Sequence, residues 1–184
     1  MTSIRACEIP DAALLRNNQG GKTYADCYVT EAAGEVSLAA YVEAFYTTPL
    51  FKVERGILRW LAARPSTDAE AKALAEGKIE SFAAWRVESR GPNQLLLADM
   101  TGRTKSWMMV TPACNSAGPT RTSLYFGSAV VARSTTKSGE SRMGFAFRAL
   151  LGFHKLYSRL LLAAACSRVL ASQRSGAPRD HTQT

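Results

Sequence analysis

The segment QLLLADMTGRTKSWMMV, residues 94–110, contains two apolar runs joined by Thr101 and Gly102. Two such runs around a short glycine-containing loop are typical of a β-hairpin. With Thr101 and Gly102 as the loop, Asp99 lies opposite Thr104, and the alternation of side chains assigns every other residue to one face. The hairpin therefore decides which side chains of the sheet point to the core.

The two faces of this hairpin differ in polarity. Arg103 and Lys105 share one face, which is expected to lie in water. The opposite face is expected to point inward and to bring a carboxylate and a hydroxyl group to the interior. Its side chains are those of Leu95, Leu97, Asp99, Thr104, Ser106, Met108 and Val110.

Three more segments have the β-branched and aromatic content of strands. They are TYADCYVTE (23–31), ESFAAWRVE (80–88) and RTSLYFGSAVVAR (121–133). In residues 80–88, the face with Glu80, Arg86 and Glu88 is expected to be solvated. The inward face would then consist of Ser81, Ala83, Trp85 and Val87. In residues 121–133 both sets of alternating side chains are apolar, so the pattern does not determine which set points inward.

Helices are predicted between the first and second of these strands. The apolar stripe of a surface helix consists of Leu38, Tyr41, Val42, Phe45 and Tyr46. Thr48 and Pro49 then supply a cap and a first helical position for a second helix. Its apolar stripe consists of Leu50, Val53, Ile57, Leu58 and Leu61. A capping box at Thr67 and Glu70 opens a short third helix that ends at Gly77.

One long helix is predicted from about Arg142 to about Ser172. Apolar side chains at helical spacing line one side of it: Met143, Ala146, Leu150, Phe153, Tyr157, Leu160 and Ala164. Arg148, Lys155 and Arg159 line the other side, and these charges argue against a membrane span. His154 is expected on the flank of the apolar stripe.

The composition indicates one domain, because 184 residues with 46% hydrophobic side chains can bury one substantial core. We expect an N-terminal arm over 1–21, a single domain over 22–172 and a disordered basic tail over 173–184. The first residues carry charged and polar side chains throughout, unlike a secretory signal, which predicts a cytoplasmic protein. The four cysteines form no CxxC pair, which favours reduced thiols over a zinc site or a disulfide scaffold.

The order of these elements resembles the helix-grip fold of the START and polyketide-cyclase-like (SRPBCC) superfamily. In that α+β fold two helices follow the first strand, and a curved antiparallel sheet wraps around a long C-terminal helix. Within the superfamily the chain resembles an uncharacterised bacterial family of unknown function. The likeness covers about residues 23–171 and rests on YAD (24–26), FKVERGILRWLAAR (51–64), Asp99 and FHKLYSRLLLAAA (153–165). The resemblance implies a cavity between sheet and helix for an apolar or amphipathic small molecule.

The side chains expected to line that cavity come from the predicted inward faces of the strands and from the last helix. They are Trp85, Leu97, Asp99, Ser106, Met108, His154 and Tyr157. Asp99 is expected in water at the cavity mouth, and the Tyr157 hydroxyl needs a polar partner if it is buried. No phosphate-binding loop, dinucleotide fingerprint or metal-ligand spacing is present, so no cofactor, metal or catalytic residue is assigned.

Three functions remain open from the sequence. The main hypothesis is a non-catalytic binding module for a small hydrophobic or amphipathic ligand. In the enzyme alternative, Asp99 and His154 act as an acid-base pair for cyclisation, dehydration or hydrolysis in the same cavity. The third possibility is docking on an anionic surface, since nine Lys and Arg residues against two acidic residues follow position 132. Few aromatic side chains accompany those charges, which disfavours nucleic acid. A membrane surface is a possible anionic partner but is not the favoured one.

Overall fold

The computed structural model describes residues 3–18, 23–62, 66–113, 119–131 and 140–176, and side chains in parts of α2 and α4 lie outside the description. The described chain is α+β. Its strands are β1 (Arg5–Ala6), β2 (Thr23–Ala33), β3 (Ser81–Phe82), β4 (Trp85–Arg90), β5 (Gln94–Asp99), β6 (Thr104–Pro112) and β7 (Arg121–Val131). Its α-helices are α1 (Leu38–Tyr46), α2 (Pro49–Ala62), α3 (Asp68–Ala75) and α4 (Glu140–Gly176).

The strands form one antiparallel sheet in the order β1-β2-β7-β6-β5-β4-β3. The pairing of β2 with β7 brings the second strand of the described chain beside the last one. The inner face of the sheet packs with all four helices in the main core. The outer face carries a second, smaller apolar cluster.

The predicted register of the β5–β6 hairpin is confirmed. Leu97 pairs with Ser106 and Ala98 pairs with Lys105, the pairings that a loop at Thr101 and Gly102 requires. Gly102 has a φ of 71°, a left-handed conformation that glycine adopts without steric cost. The inward side chains in the main core are Leu95, Leu97, Met108 and Val110.

The outer face of this hairpin is less solvated than expected. Lys105 is only 8% exposed, and its ammonium group is paired with the carboxylate of Glu88. Leu96, Trp107 and Met109, on the same face, are buried beneath the N-terminal segment. The prediction that Lys105 lies in water is therefore wrong, because its ammonium group is buried in the pair with Glu88. A second layer of chain covers the neighbouring apolar side chains on this side of the sheet.

That layer belongs to the segment expected as an N-terminal arm. Residues 3–18 include a 3-10 helix, Leu14–Asn18, and they bury Ile9, Ala13 and Leu15 against the outer face. The Gln94 side chain fixes the segment, since it accepts from the Leu14 N–H and donates to the Ala12 carbonyl. We call residues 3–18 the outer strap.

The prediction of a single strand over 80–88 is wrong. β3 and β4 form a tight hairpin, with Ala83 at a φ of 52° in the turn between them. Phe82 pairs with Trp85 and is buried, while Ser81 is exposed, so the inward alternation changes within the segment. The turn residues are two alanines, a residue type that does not predict a turn. Burial of the Phe82 ring stabilises the hairpin.

α1 and α3 have the buried residues and caps that the sequence predicts, and α2 begins at the predicted cap. In α1, the side chains of Leu38, Tyr41, Val42, Phe45 and Tyr46 are buried. The Thr48 hydroxyl accepts from the Phe51 N–H at the start of α2, and Thr67 and Glu70 form the capping box of α3. In the predicted stripe of α2, Leu50 is half-buried and Val53 is 63% exposed, so Val53 does not belong to a buried face. The side chains at 57–62 lie outside the described residues.

The buried face of α4 differs from the predicted one. Its buried side chains are Ser158, Leu161, Leu162, Ala165, Cys166 and Val169, whereas Leu160 is 49% exposed. The segment LLLAAAC, residues 160–166, is apolar on several faces of the helix. A repeat of apolar residues every three or four positions therefore does not determine which face is buried. The side chains of 140–153, including the predicted stripe from Met143 to Phe153, lie outside the described part. The helix continues through Gly176, into the segment expected as a disordered tail.

Candidate functional site

A cleft of about 520 Å³ lies between the inner face of the sheet and the helices α1, α2 and α4. Its walls are largely apolar, with Phe45, Leu50, Phe126 and Leu161 among them. Three of the four large apolar side chains that are exposed in the described chain also line this cleft: Val53, Leu156 and Leu160. The apolar surface therefore extends from the floor of the cleft to its rim.

Four of the seven predicted site residues line this cleft: Trp85, Ser106, His154 and Tyr157. Leu97 and Met108 point to the same face but are fully buried in the core. Asp99 does not line the cleft.

The Asp99 carboxylate belongs to the turn of the β5–β6 hairpin. It accepts hydrogen bonds from the Thr101 hydroxyl at 2.9 Å, the Arg103 N–H at 2.8 Å and the Thr104 N–H at 3.2 Å. Burial raises the pKa of Asp99, but these hydrogen bonds together outweigh burial and leave the pKa below its ordinary value. The carboxylate that the sequence assigned to the cavity mouth thus stabilises the loop conformation.

A hydrogen-bonded chain that the sequence did not predict ends at His154. Ser128 Oγ lies 2.6 Å from Asp26 Oδ1 and 2.7 Å from His154 Nε2. The Tyr24 hydroxyl donates to the other oxygen of Asp26 at 3.3 Å. Asp26 and Ser128 are directly paired across β2 and β7. Sequence patterns could not find this contact, because it depends on which strands are neighbours.

The directions of these hydrogen bonds follow from proton counting. An ionised carboxylate only accepts, so the single proton of Ser128 goes to Asp26. The Ser128 oxygen must then accept the N–H at Nε2 of His154. In this arrangement the histidine cannot remove a proton from Ser128, as it would in nucleophilic catalysis.

A second polar pair lies in the wall where α2 meets α4. The Tyr157 hydroxyl donates to the carboxylate of Glu54. Burial raises the pKa of Glu54, and the hydrogen bond from Tyr157 lowers it by less. Burial also raises the pKa of Tyr157, with a further contribution from the negative charge of Glu54.

Three polar atoms in the cleft wall are buried without a hydrogen-bond partner among the described residues: Tyr46 Oη, Trp85 Nε1 and Ser158 Oγ. The Ser106 hydroxyl lowers the pKa of Tyr46 against the larger raising effect of burial, but no hydrogen bond of ordinary geometry joins them. A buried polar group left unpaired costs about 1–3 kcal/mol. All three atoms lie in the wall of one cleft, so a polar group bound there could accept hydrogen bonds from them.

We expect Glu54 to make stability pH-dependent. Its pKa is raised in the folded state, so the folded protein binds more protons there, and the free energy of unfolding falls as pH rises from 4.5 towards the raised pKa. Urea unfolding across this range should show that wild type loses stability relative to Glu54→Gln. Tyr157→Phe should enlarge this loss of stability and extend it to higher pH, because it removes a hydrogen bond that lowers the pKa of Glu54. Parallel curves for wild type and Glu54→Gln would contradict this assignment.

No protein-family model matches this sequence, and no curated protein shows significant similarity to it. In the described part of the chain, no helix combines the length and apolar character needed to cross a bilayer. The same residues contain no cluster of three His, Cys, Asp or Glu side chains that could hold a metal ion.

Proposed function

We propose that the protein binds a small amphipathic molecule in the cleft between the sheet and α4, without catalysing its conversion. The observation that carries this proposal is an apolar wall with three unpaired buried donors. The volume of about 520 Å³ falls within the range of roughly 300–1,000 Å³ found for small-molecule sites.

The unpaired atoms point to the polar part of the ligand. Trp85 Nε1 can only donate, and the Tyr46 and Ser158 hydroxyl groups can also donate. A ligand with an apolar body and an acceptor oxygen, such as a carbonyl, ether or carboxylate, would supply the missing partner after a small shift of these side chains. The exposed leucines at the rim would contact its apolar part.

A helix-grip arrangement fits this proposal. β2 precedes the helices, β3 to β7 follow them, and α4 packs against α1 and β2. The presence of α3 makes three helices after β2, where the helix-grip order has two. We propose that the chain is a variant of that fold and that α3 is an addition to it.

Two observations favour binding over catalysis. Asp99 lies outside the cleft and is held in the hairpin turn, so it does not form an acid-base pair with His154 there. Ser128 donates to Asp26 and is therefore not activated by His154. His154 then contributes a polar side chain to the wall of the cleft and has no catalytic role in this proposal.

The proposal is tested by titration with the apolar fluorescent probe N-phenyl-1-naphthylamine. We expect Leu156→Lys to weaken probe binding about tenfold, because it places a charge where the probe contacts the rim. Met100→Lys is the matched control, since Leu156 and Met100 are each 57% exposed but Met100 lies in the β5–β6 turn. Equal affinity in the two variants would refute the cleft as the binding site.

A second set of variants compares His154 with two residues that do not line the cleft. His154→Ala should weaken probe binding, whereas Lys155→Ala, on the solvated side of α4, and Asp99→Asn should leave it unchanged. Equal losses in all three variants would indicate a general effect of charge or folding. Native mass spectrometry of protein purified from its own host would then identify any molecule that remains bound.

A further inference from the structure

A pair of cysteines lies on the outer face of the sheet, which is the face opposite the cleft. The β1–β2 register pairs Ala6 with Tyr28, which places Cys7 opposite Cys27. The Cys7 N–H donates to the Cys27 carbonyl at 3.0 Å, so the ladder continues through this pair. The two Sγ atoms are 3.3 Å apart and joined by a hydrogen bond. Both thiols are free.

The two thiols differ in accessibility. Cys27 is 3% exposed, whereas Cys7 is partly exposed at the edge of the outer strap. The hydrogen bond with Cys27 lowers the pKa of Cys7 more than burial raises it, and the Arg5 guanidinium lowers it further. The same hydrogen bond and burial raise the pKa of Cys27. Cys7 is thus the thiol that a reagent in solution reaches first, and the more readily ionised one.

We propose that Cys7 and Cys27 form a disulfide when the protein meets a low-molecular-weight disulfide, and that this bond fastens the outer strap to β2. Directly opposed residues in an antiparallel hydrogen-bonded pair have Cα atoms about 5.5 Å apart, within the range of disulfides. The existing backbone geometry can therefore accommodate the bond.

The reaction with glutathione disulfide balances in two exchanges. The Cys7 thiolate attacks one sulfur of glutathione disulfide, forms a mixed disulfide and releases one glutathione thiolate. Cys27, after losing its proton, attacks Cys7 Sγ and releases the second glutathione. The two protein thiols are oxidised by two electrons, and their protons are taken up by the two released thiolates.

The bond would act on the outer strap because Cys7 precedes its buried residues. Ile9, Ala13 and Leu15 pack on the sheet through noncovalent contacts. A covalent link at Cys7 adds a fixed point at one end of this segment. Local opening of the strap then loses part of the chain freedom that favours it.

The test uses the full-length Cys114→Ser variant, which leaves the pair and the buried Cys166. After incubation with glutathione disulfide, peptide mass spectrometry should find Cys7 linked to Cys27 and a loss of two hydrogen atoms, with Cys166 still a thiol. Amide exchange of residues 3–18 should slow about tenfold compared with the reduced protein.

Two further variants provide the controls. In Cys27→Ser, we expect Cys7 to stop at the glutathione adduct, and in Cys7→Ser, Cys27 should remain a thiol. In both, the exchange of residues 3–18 should keep the rate of the reduced protein. A stable glutathione adduct on Cys7 with Cys27 present, two unreacted thiols, or an unchanged exchange rate after disulfide formation would overturn the proposal.

Discussion

Replacing Leu162 with alanine is expected to lower the free energy of unfolding by about 2–5 kcal/mol, because it removes buried methyl groups and leaves a cavity. Leu162 is fully buried in the main core, on the face of α4 that packs against α1 and the sheet. Urea unfolding measures the loss.

Leu160→Ala is the matched control for this prediction. Leu160 is on the same helix but 49% exposed at the rim of the cleft, so its replacement should cost less than about 1 kcal/mol. It should instead weaken the binding of N-phenyl-1-naphthylamine. Equal stability losses in the two variants would show that the buried face of α4 is wrongly assigned.

The second large effect is expected at Gly127, where the outer strap meets the sheet. A Cβ added there would lie 2.9 Å from Leu15 Cδ2 and 3.0 Å from Trp107 Cε3. The backbone carbonyl of Asp26, at 3.1 Å, limits movement in the other direction. Gly127→Ala should therefore cost about 1–3 kcal/mol through overpacking, measured by urea unfolding.

A double-mutant cycle tests that cause. Leu15→Ala alone should cost about 2–5 kcal/mol, because Leu15 is fully buried. Gly127→Ala with Leu15→Ala should cost less than the two single effects combined, since the closest clashing atom is gone. Additive losses would indicate that Gly127 is needed for a reason other than the contact with Leu15.

The sequence predicted those features whose causes are local. The register of the β5–β6 hairpin follows from a loop of two residues, and one position of slip would have reversed both faces. The buried stripe of α1 and the capping box of α3 likewise depend on residues within one or two turns. In each case the residues that determine the structure are neighbours in the chain.

The sequence failed where tertiary contacts decide between local alternatives. Leu160 and Leu162 are equally apolar, and only packing against α1 and the sheet selects the buried one. Lys105 follows the solvated alternation, but its pair with Glu88 of β4 buries it. The contact of Ser128 with His154 needs both the β2–β7 pairing and the placement of α4. No pattern within one segment contains that information.

The pairing of β2 with β7 also has a consequence for how the chain is made. Asp26 and Ser128 are 102 positions apart, yet their strands are neighbours in the sheet. During synthesis, β2 therefore waits for its partner until about a hundred more residues have been added, while the β5–β6 hairpin can form as soon as it emerges. Until β7 arrives, one edge of β2 lacks its hydrogen-bonding partner. An unpaired strand edge can pair with another chain, so a chaperone that covers this edge would protect the nascent chain from aggregation.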